Sequence, residues 1–186
     1  MTRKLLMLLL VICLVNKKVF SQRSHFYFNA GASLFFPGNR YSEVAIFPAI
    51  TLTPGLRLIQ TKDFALVLGF PLSGGGTFKT DTYLGIDLPA MLSLHFGSAA
   101  GNNDHSKFGI IMGAGAAYID VVNFYDNLYF EKVHTQFWGY RFNAGISFKT
   151  DKGGGVPAIV FSFGRSVNGK DVYMAGIGIH YILSNK

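Results

Sequence analysis

The amino-acid sequence predicts an all-β chain folded as a closed antiparallel up-and-down eight-stranded transmembrane β-barrel. Three observations carry that prediction. First, residues 83–96 alternate without a break over 14 positions. Leu84, Ile86, Leu88, Ala90, Leu92, Leu94 and Phe96 are all apolar, while Tyr83, Gly85, Asp87, Pro89, Met91, Ser93 and His95 are mostly small, polar or ionisable. A period of two puts the apolar set on one face of a β-strand. Ordinary strands run to ~5–6 residues, whereas a tilted membrane-spanning strand needs ~9–11. Second, seven more stretches repeat the pattern, with turn signals between them. Third, hydrophobic residues make up 49% of the chain, with 22 Gly, 18 Phe and 9 Tyr, and mean hydropathy is +0.30. Yet no apolar run long enough for a membrane helix follows residue 20. Gly disfavours helices, and Phe and Tyr favour strands.

Residues 1–21 have the layout of a secretory signal peptide. Arg3 and Lys4 begin it, an 11-residue apolar run spans positions 5–15, and Val19 and Ser21 suit cleavage before Gln22. That run is too short to span a bilayer. The expected mature domain is therefore residues 22–186. The formal charge of +7 owes four units to Arg3, Lys4, Lys17 and Lys18. Without them, 13 basic residues face 10 acidic ones, a net charge of +3 with no basic stripe to suggest nucleic acid. The single cysteine, Cys13, falls in the same segment, so no disulfide or thiol chemistry is expected of the mature domain.

The eight strands are expected at residues 25–36, 44–59, 64–72, 83–96, 107–120, 135–149, 156–165 and 171–183. In the first, Phe26, Phe28, Ala30, Ala32, Leu34 and Phe36 oppose Tyr27, Asn29, Gly31 and Ser33. In the second, Ile50, Leu52, Pro54, Leu56 and Leu58 oppose Thr51, Thr53, Gly55 and Arg57. The third turns Phe64, Leu66, Leu68, Phe70 and Leu72 outward, and residues 73–81, with Gly74–Gly76, read as a loop. The fifth sets Phe108 to Tyr118 against Gly109, Gly113 and Gly115, and residues 121–134 form the longest expected loop. The sixth sets Trp138 to Phe148 against Gly139, Arg141, Asn143, Gly145 and Ser147. The last two place Ile159, Phe161 and Phe163, then Tyr173, Ile177, Ile179 and Tyr181, outward.

An open sheet would leave unpaired backbone groups in lipid, so the meander closes. Eight strands leave an interior that side chains largely fill, which suits the inner-face glycines. Pro48, Pro54, Pro71 and Pro89 predict bulges or shortened strands. Phe, Tyr and Trp near the strand ends suit interfacial girdles. A soluble ligand-binding barrel would show the opposite polarity, apolar inside and polar outside.

With this pattern, the chain resembles the small eight-stranded outer-membrane barrels of Gram-negative bacteria, the group that includes the membrane domain of OmpA and the OmpX-like proteins. The resemblance covers residues 22–183. In the closing strand, Gly176, Ile179 and Tyr181 stand at the spacing of the family's assembly signal. Met174 departs from the usual polar residue, and the chain ends in 183–186 without an aromatic. The resemblance implies residence in the outer membrane, contact with its lipids and lipopolysaccharide, insertion by the barrel-assembly machinery, a monomer, and no cofactor.

Charge inside a membrane structure is costly and usually paired. By parity the inner-face ionisable residues are Arg57, Asp87, His95, Arg141 and His180. Asp87 lies nine residues from Phe96 and Arg141 eight from Lys149, so the two fall at similar depth. They are expected either to meet as a polar plug or to be hydrated separately, with Arg57, His95 and His180 nearer the periplasmic end. No catalytic or metal set is expected. His134 has no local serine, the five histidines are scattered, and Gly74–Gly76 and Gly153–Gly155 lack the Lys-Ser/Thr of a phosphate loop. The function expected is structural or that of a narrow passive pore, without catalysis. A surface-binding role through the 121–134 loop, with Phe124, Tyr125, Tyr129 and Phe130, is the alternative, and a lipid A-modifying enzyme is a third.

Overall fold

Long alternating segments become long strands. The computed structural model describes residues 26–39, 46–78, 81–100, 106–125, 132–149, 155–167 and 172–183. Within them run β1 (Phe26–Asn39), β2 (Phe47–Gln60), β3 (Phe64–Gly69), β4 (Leu72–Phe78), β5 (Asp81–Gly97), β6 (Phe108–Tyr125), β7 (Lys132–Phe148), β8 (Val156–Ser166) and β9 (Val172–Leu183). All pairings are antiparallel between chain neighbours, and β1 also pairs with β9, which closes the sheet. β3 and β4 are two halves of one stave, both lying between β2 and β5. The barrel therefore has eight staves. The end carrying Phe26 and Leu183 is here called the terminal end, and the opposite one the far end.

Three sequence expectations change. Residues 73–81 do not form a loop, because Ser73 and Gly74–Gly76 belong to β4, where Gly75 pairs with both Ala49 and Gly85. A Cβ on Gly75 would lie 2.6 Å from the Ala49 Cα, so the glycine run permits close strand approach rather than a turn. Bulges do not fall at the prolines. Pro48, Pro54 and Pro89 sit in unbroken register; at Pro71 the strand is shortened as expected, β3 ending at Gly69, but the stave does not shift, since Gly69 pairs with Met91 and Ser73 with Asp87. The one shift in β2 lies between Arg57 and Ile59. This bulge at Leu58 reverses the parity, turning Ile59 outward and Gln60 inward. Finally, 121–125 and 132–134, expected within a loop, are strand. β6 and β7 stay paired out to Phe124 and Lys132; the alternation of polar and apolar residues there is too irregular to signal a strand in the sequence. Tyr129 and Phe130 lie outside the described residues.

The outer wall is apolar. Leu88, Leu92, Ile110, Met112, Phe142, Ile146, Phe161 and Ile179 are all exposed, Ile179 to 69%. On β6 this face runs ten residues from Phe108 to Tyr118, about 24 Å at a rise of ~3.4 Å and a tilt of ~45°. That matches the ~25 Å apolar band of a membrane barrel. Aromatic pairs mark its two limits: Phe108–Phe148 and Phe64–Phe96 at the terminal end, and Tyr118–Trp138, with centroids 5.0 Å apart, towards the far end. Next to Tyr118 on the outward face, the Gln136 amide donates to Asp120 at 3.2 Å. Inside, two apolar layers cross the bore. One, at the terminal end, contains Tyr27, Ala65, Val67, Ile111, Val156, Ala158 and Ile182. The other, towards the far end, contains Phe35, Phe47, Ala49, Ile119 and Met174.

Candidate functional site

Between these layers lies a polar cavity of about 70 Å³. At ~10–15 Å³ per water centre it has room for several waters. Ser33, Thr51, Thr53, Ser73, Ser93, Asn29, Asn143, His95, His180, Asp87 and Arg141 contribute to its wall. Antiparallel alternation turns each of these side chains inward, and the register sets which of them meet.

Asp87 on β5 and Arg141 on β7 meet directly, with Arg141 Nη2 2.7 Å from Asp87 Oδ2 and both side chains 5% exposed. The Arg141 guanidinium also stands over the Phe35 ring, 5.5 Å from its centroid. Phe35, Ser73 and Asp87 line this cavity and also a smaller one of about 20 Å³ on the far side, walled by Phe47, Ile119 and Met174. The ion pair and the phenyl ring thus form a partition between a polar inner chamber and an apolar outer one.

Arg57, His95 and His180 are buried in the terminal half, away from that pair. His180 Nε2 lies 3.3 Å from the Ser33 hydroxyl, Ser33 lies 3.1 Å from the Thr51 hydroxyl, and Thr51 lies 2.9 Å from Ser73. This hydroxyl chain links β9, β1, β2 and β4, and ends beside Asp87, the register partner of Ser73. Sequence reading placed Ser33 and Thr51 on the inner face but could not pair them, since pairing requires register between segments distant in the chain. His95 stacks edge-on against Tyr27, which accepts a hydrogen bond from Asn29 Nδ2 at 3.3 Å. Arg57 faces the Tyr27 ring at 5.9 Å.

The floor of the bore was not legible as such. Ser98–Ala100, in a stretch between two expected strands, form a 3₁₀ turn folded into the bore, with all three residues buried. Gly97, at φ 60°, makes that inward turn without strain. Gln60 Nε2 donates to the Ala100 carbonyl at 2.9 Å, His95 Nδ1 lies 3.2 Å from the Ala99 carbonyl, and Ser98 and Ser147 hydroxyls are 2.8 Å apart. The Leu58 bulge is what turns Gln60 inward to reach the turn.

The remaining predicted residues fall as follows. Gly176 faces the lumen beneath Phe35, while Ile179 and Tyr181 face outward. Phe124 and Tyr125 lie on β6, and His134 on β7 opposite Val122. Among the described residues no three His, Cys, Asp or Glu side chains group as metal ligands.

No family model and no curated protein sequence matches this chain. Solved structures do. Neisserial surface protein A (NspA) superposes with a TM-score of 0.61 at 13% identity, over 87% of this chain and 98% of that one. Ail, the attachment invasion locus protein of Yersinia pestis, gives 0.61 at 10% identity over 85% and 97%. The N-terminal β-barrel domain of Pseudomonas aeruginosa OprF gives 0.51 at 15% identity over 83% and 97%. The chain has the fold of the small outer-membrane barrels. At these identities the likeness concerns the path of the backbone through eight staves.

Proposed function

We propose that this protein is an integral outer-membrane barrel with a structural role in the envelope and a narrow, normally occluded lumen, and that it has no catalytic activity. The observation that carries this reading is the reversed polarity: a continuous apolar outer wall about 24 Å high encloses a buried ion pair and hydroxyl chain. Lipid would cover the wall, the termini would face the periplasm after removal of residues 1–21, and the barrel would act as a monomer. The two apolar layers and the partition support a resting state of low conductance over an open pore. Protein from outer-membrane fractions should shift on a cold SDS gel after boiling and give little current in planar bilayers. Recovery as a soluble, non-shifting periplasmic protein would overturn the reading.

One observation favours a second reading, adhesion at the cell surface. The β6–β7 ladder continues six pairs beyond Tyr118–Trp138, to Phe124 and Lys132, and so would project beyond the apolar band. Ail, similar in fold, has been solved with the heparin analogue sucrose octasulfate. If the projecting hairpin binds a surface partner, deleting residues 122–132 should abolish that binding and leave the heat-modifiable band intact.

A further inference from the structure

The described lumen contains two arginines and a single carboxylate. Asp87 is committed to Arg141 at 2.7 Å. Arg57 is equally withdrawn, at 4% exposure, and no carboxylate stands within ion-pair distance of it among the described residues. Its Nη2 is buried without a partner, and its nearest favourable neighbour is the face of Tyr27 at 5.9 Å. A guanidinium keeps its charge, and a cation–π contact offsets only part of the cost of withdrawing it from water. With the histidines neutral, the described lumenal side chains carry a formal charge of +1.

A second donor stands beside it. The Tyr27 hydroxyl accepts from Asn29 Nδ2 at 3.3 Å, so its own proton is left to give. Tyr27 also lines the cavity, which gives this corner room for a small guest beside the ring. The other groups facing it supply no negative charge: His95 sits edge-on to Tyr27, Thr53 and Val67 are neutral, and Gln60 is turned to the Ala100 carbonyl.

We infer that Arg57 and the Tyr27 hydroxyl hold a small monovalent anion of the size of chloride in the terminal half of the lumen. The anion balances the one lumenal charge that the described residues leave uncompensated. This inference depends on the barrel interior alone and not on the proposed envelope role.

Bromide provides the direct test. Crystals of the folded barrel soaked in sodium bromide, measured at the bromine edge, should show an anomalous peak within ~4 Å of the Arg57 guanidinium, the reach of an ion contact. A lone water at Arg57, or bromide only elsewhere, would overturn the inference. A solution measurement separates a resident anion from binding at crystal concentration only. When chloride is replaced by gluconate at constant ionic strength, the wild-type Tm should fall, while that of Arg57→Met should not respond. Equal responses in the two proteins would sink the proposal even with a bromide peak present.

Discussion

Arg141 and Asp87, from β7 and β5, touch at 2.7 Å across the lumen, and they do so above a chamber in which several polar atoms have no protein partner. Asp87 Oδ1 and Arg141 Nε have no protein partner, and neither do Asn143 Oδ1 and His180 Nδ1. Removing one member of a buried pair strands the other charge. Asp87→Asn and Arg141→Met should each cost ~3–5 kcal/mol, read as a lowered denaturant midpoint for unfolding from lipid or detergent. Replacing both with apolar residues should recover most of that loss. Single variants as stable as wild type would mean that lumenal water compensates each charge separately.

The outer wall predicts a dependence on depth. Met112 lies near the middle of the apolar face of β6, and Phe108 lies in the aromatic pair at its terminal limit. Lysine at the midplane of a membrane barrel costs ~2–4 kcal/mol and near an interface about 0–1. Met112→Lys should therefore be clearly the more damaging of the two in vesicle-based unfolding titrations, with Phe108→Lys close to neutral. Equal penalties would argue that this face does not lie across lipid.

The architecture was legible in sequence because a period of two, sustained for a dozen residues, leaves few alternatives. Depth arithmetic also put Asp87 and Arg141 at one level. Whether they touched depended on how two staves separated by β6 curve around the bore, which the alternation does not encode. The bulge at Leu58 was hidden for a similar reason: Leu58 and Ile59 are both apolar, so the parity change leaves no mark in the pattern. β4 was hidden by composition, since three glycines signal a turn unless both neighbouring strands are known to need the space. The 98–100 floor carried no periodic signal at all. Only its small residues, after a glycine able to take positive φ, hint in retrospect at a segment that could pack into a narrow bore.

That floor is held by three polar contacts and two alanine methyls, whereas each stave is held by a full ladder. Ala100→Lys would place a second cation in the apolar terminal layer, beside the half of the lumen that already holds Arg57, where an unpaired charge is costly. The turn should leave the bore, so the variant should keep its heat-modifiable band and show raised conductance in planar bilayers. A folded variant as silent as wild type would show that the far layer and the partition alone keep the lumen closed.

Gly176 separates packing from assembly signalling. A Cβ there would lie 2.6 Å from Phe35 Cδ1 and 2.7 Å from the Ser162 hydroxyl oxygen, closer than side chains tolerate. Phe35 in turn backs the Arg141 guanidinium. Gly176→Val should therefore displace the ring, loosen the partition and cost ~1–3 kcal/mol, the usual range for overpacking. Adding Phe35→Leu should restore room and recover part of the loss. Both effects should appear when purified protein refolds into detergent with no assembly machinery present. If Gly176→Val refolds with wild-type stability and fails only in cells, the glycine matters for recognition and the packing account is wrong.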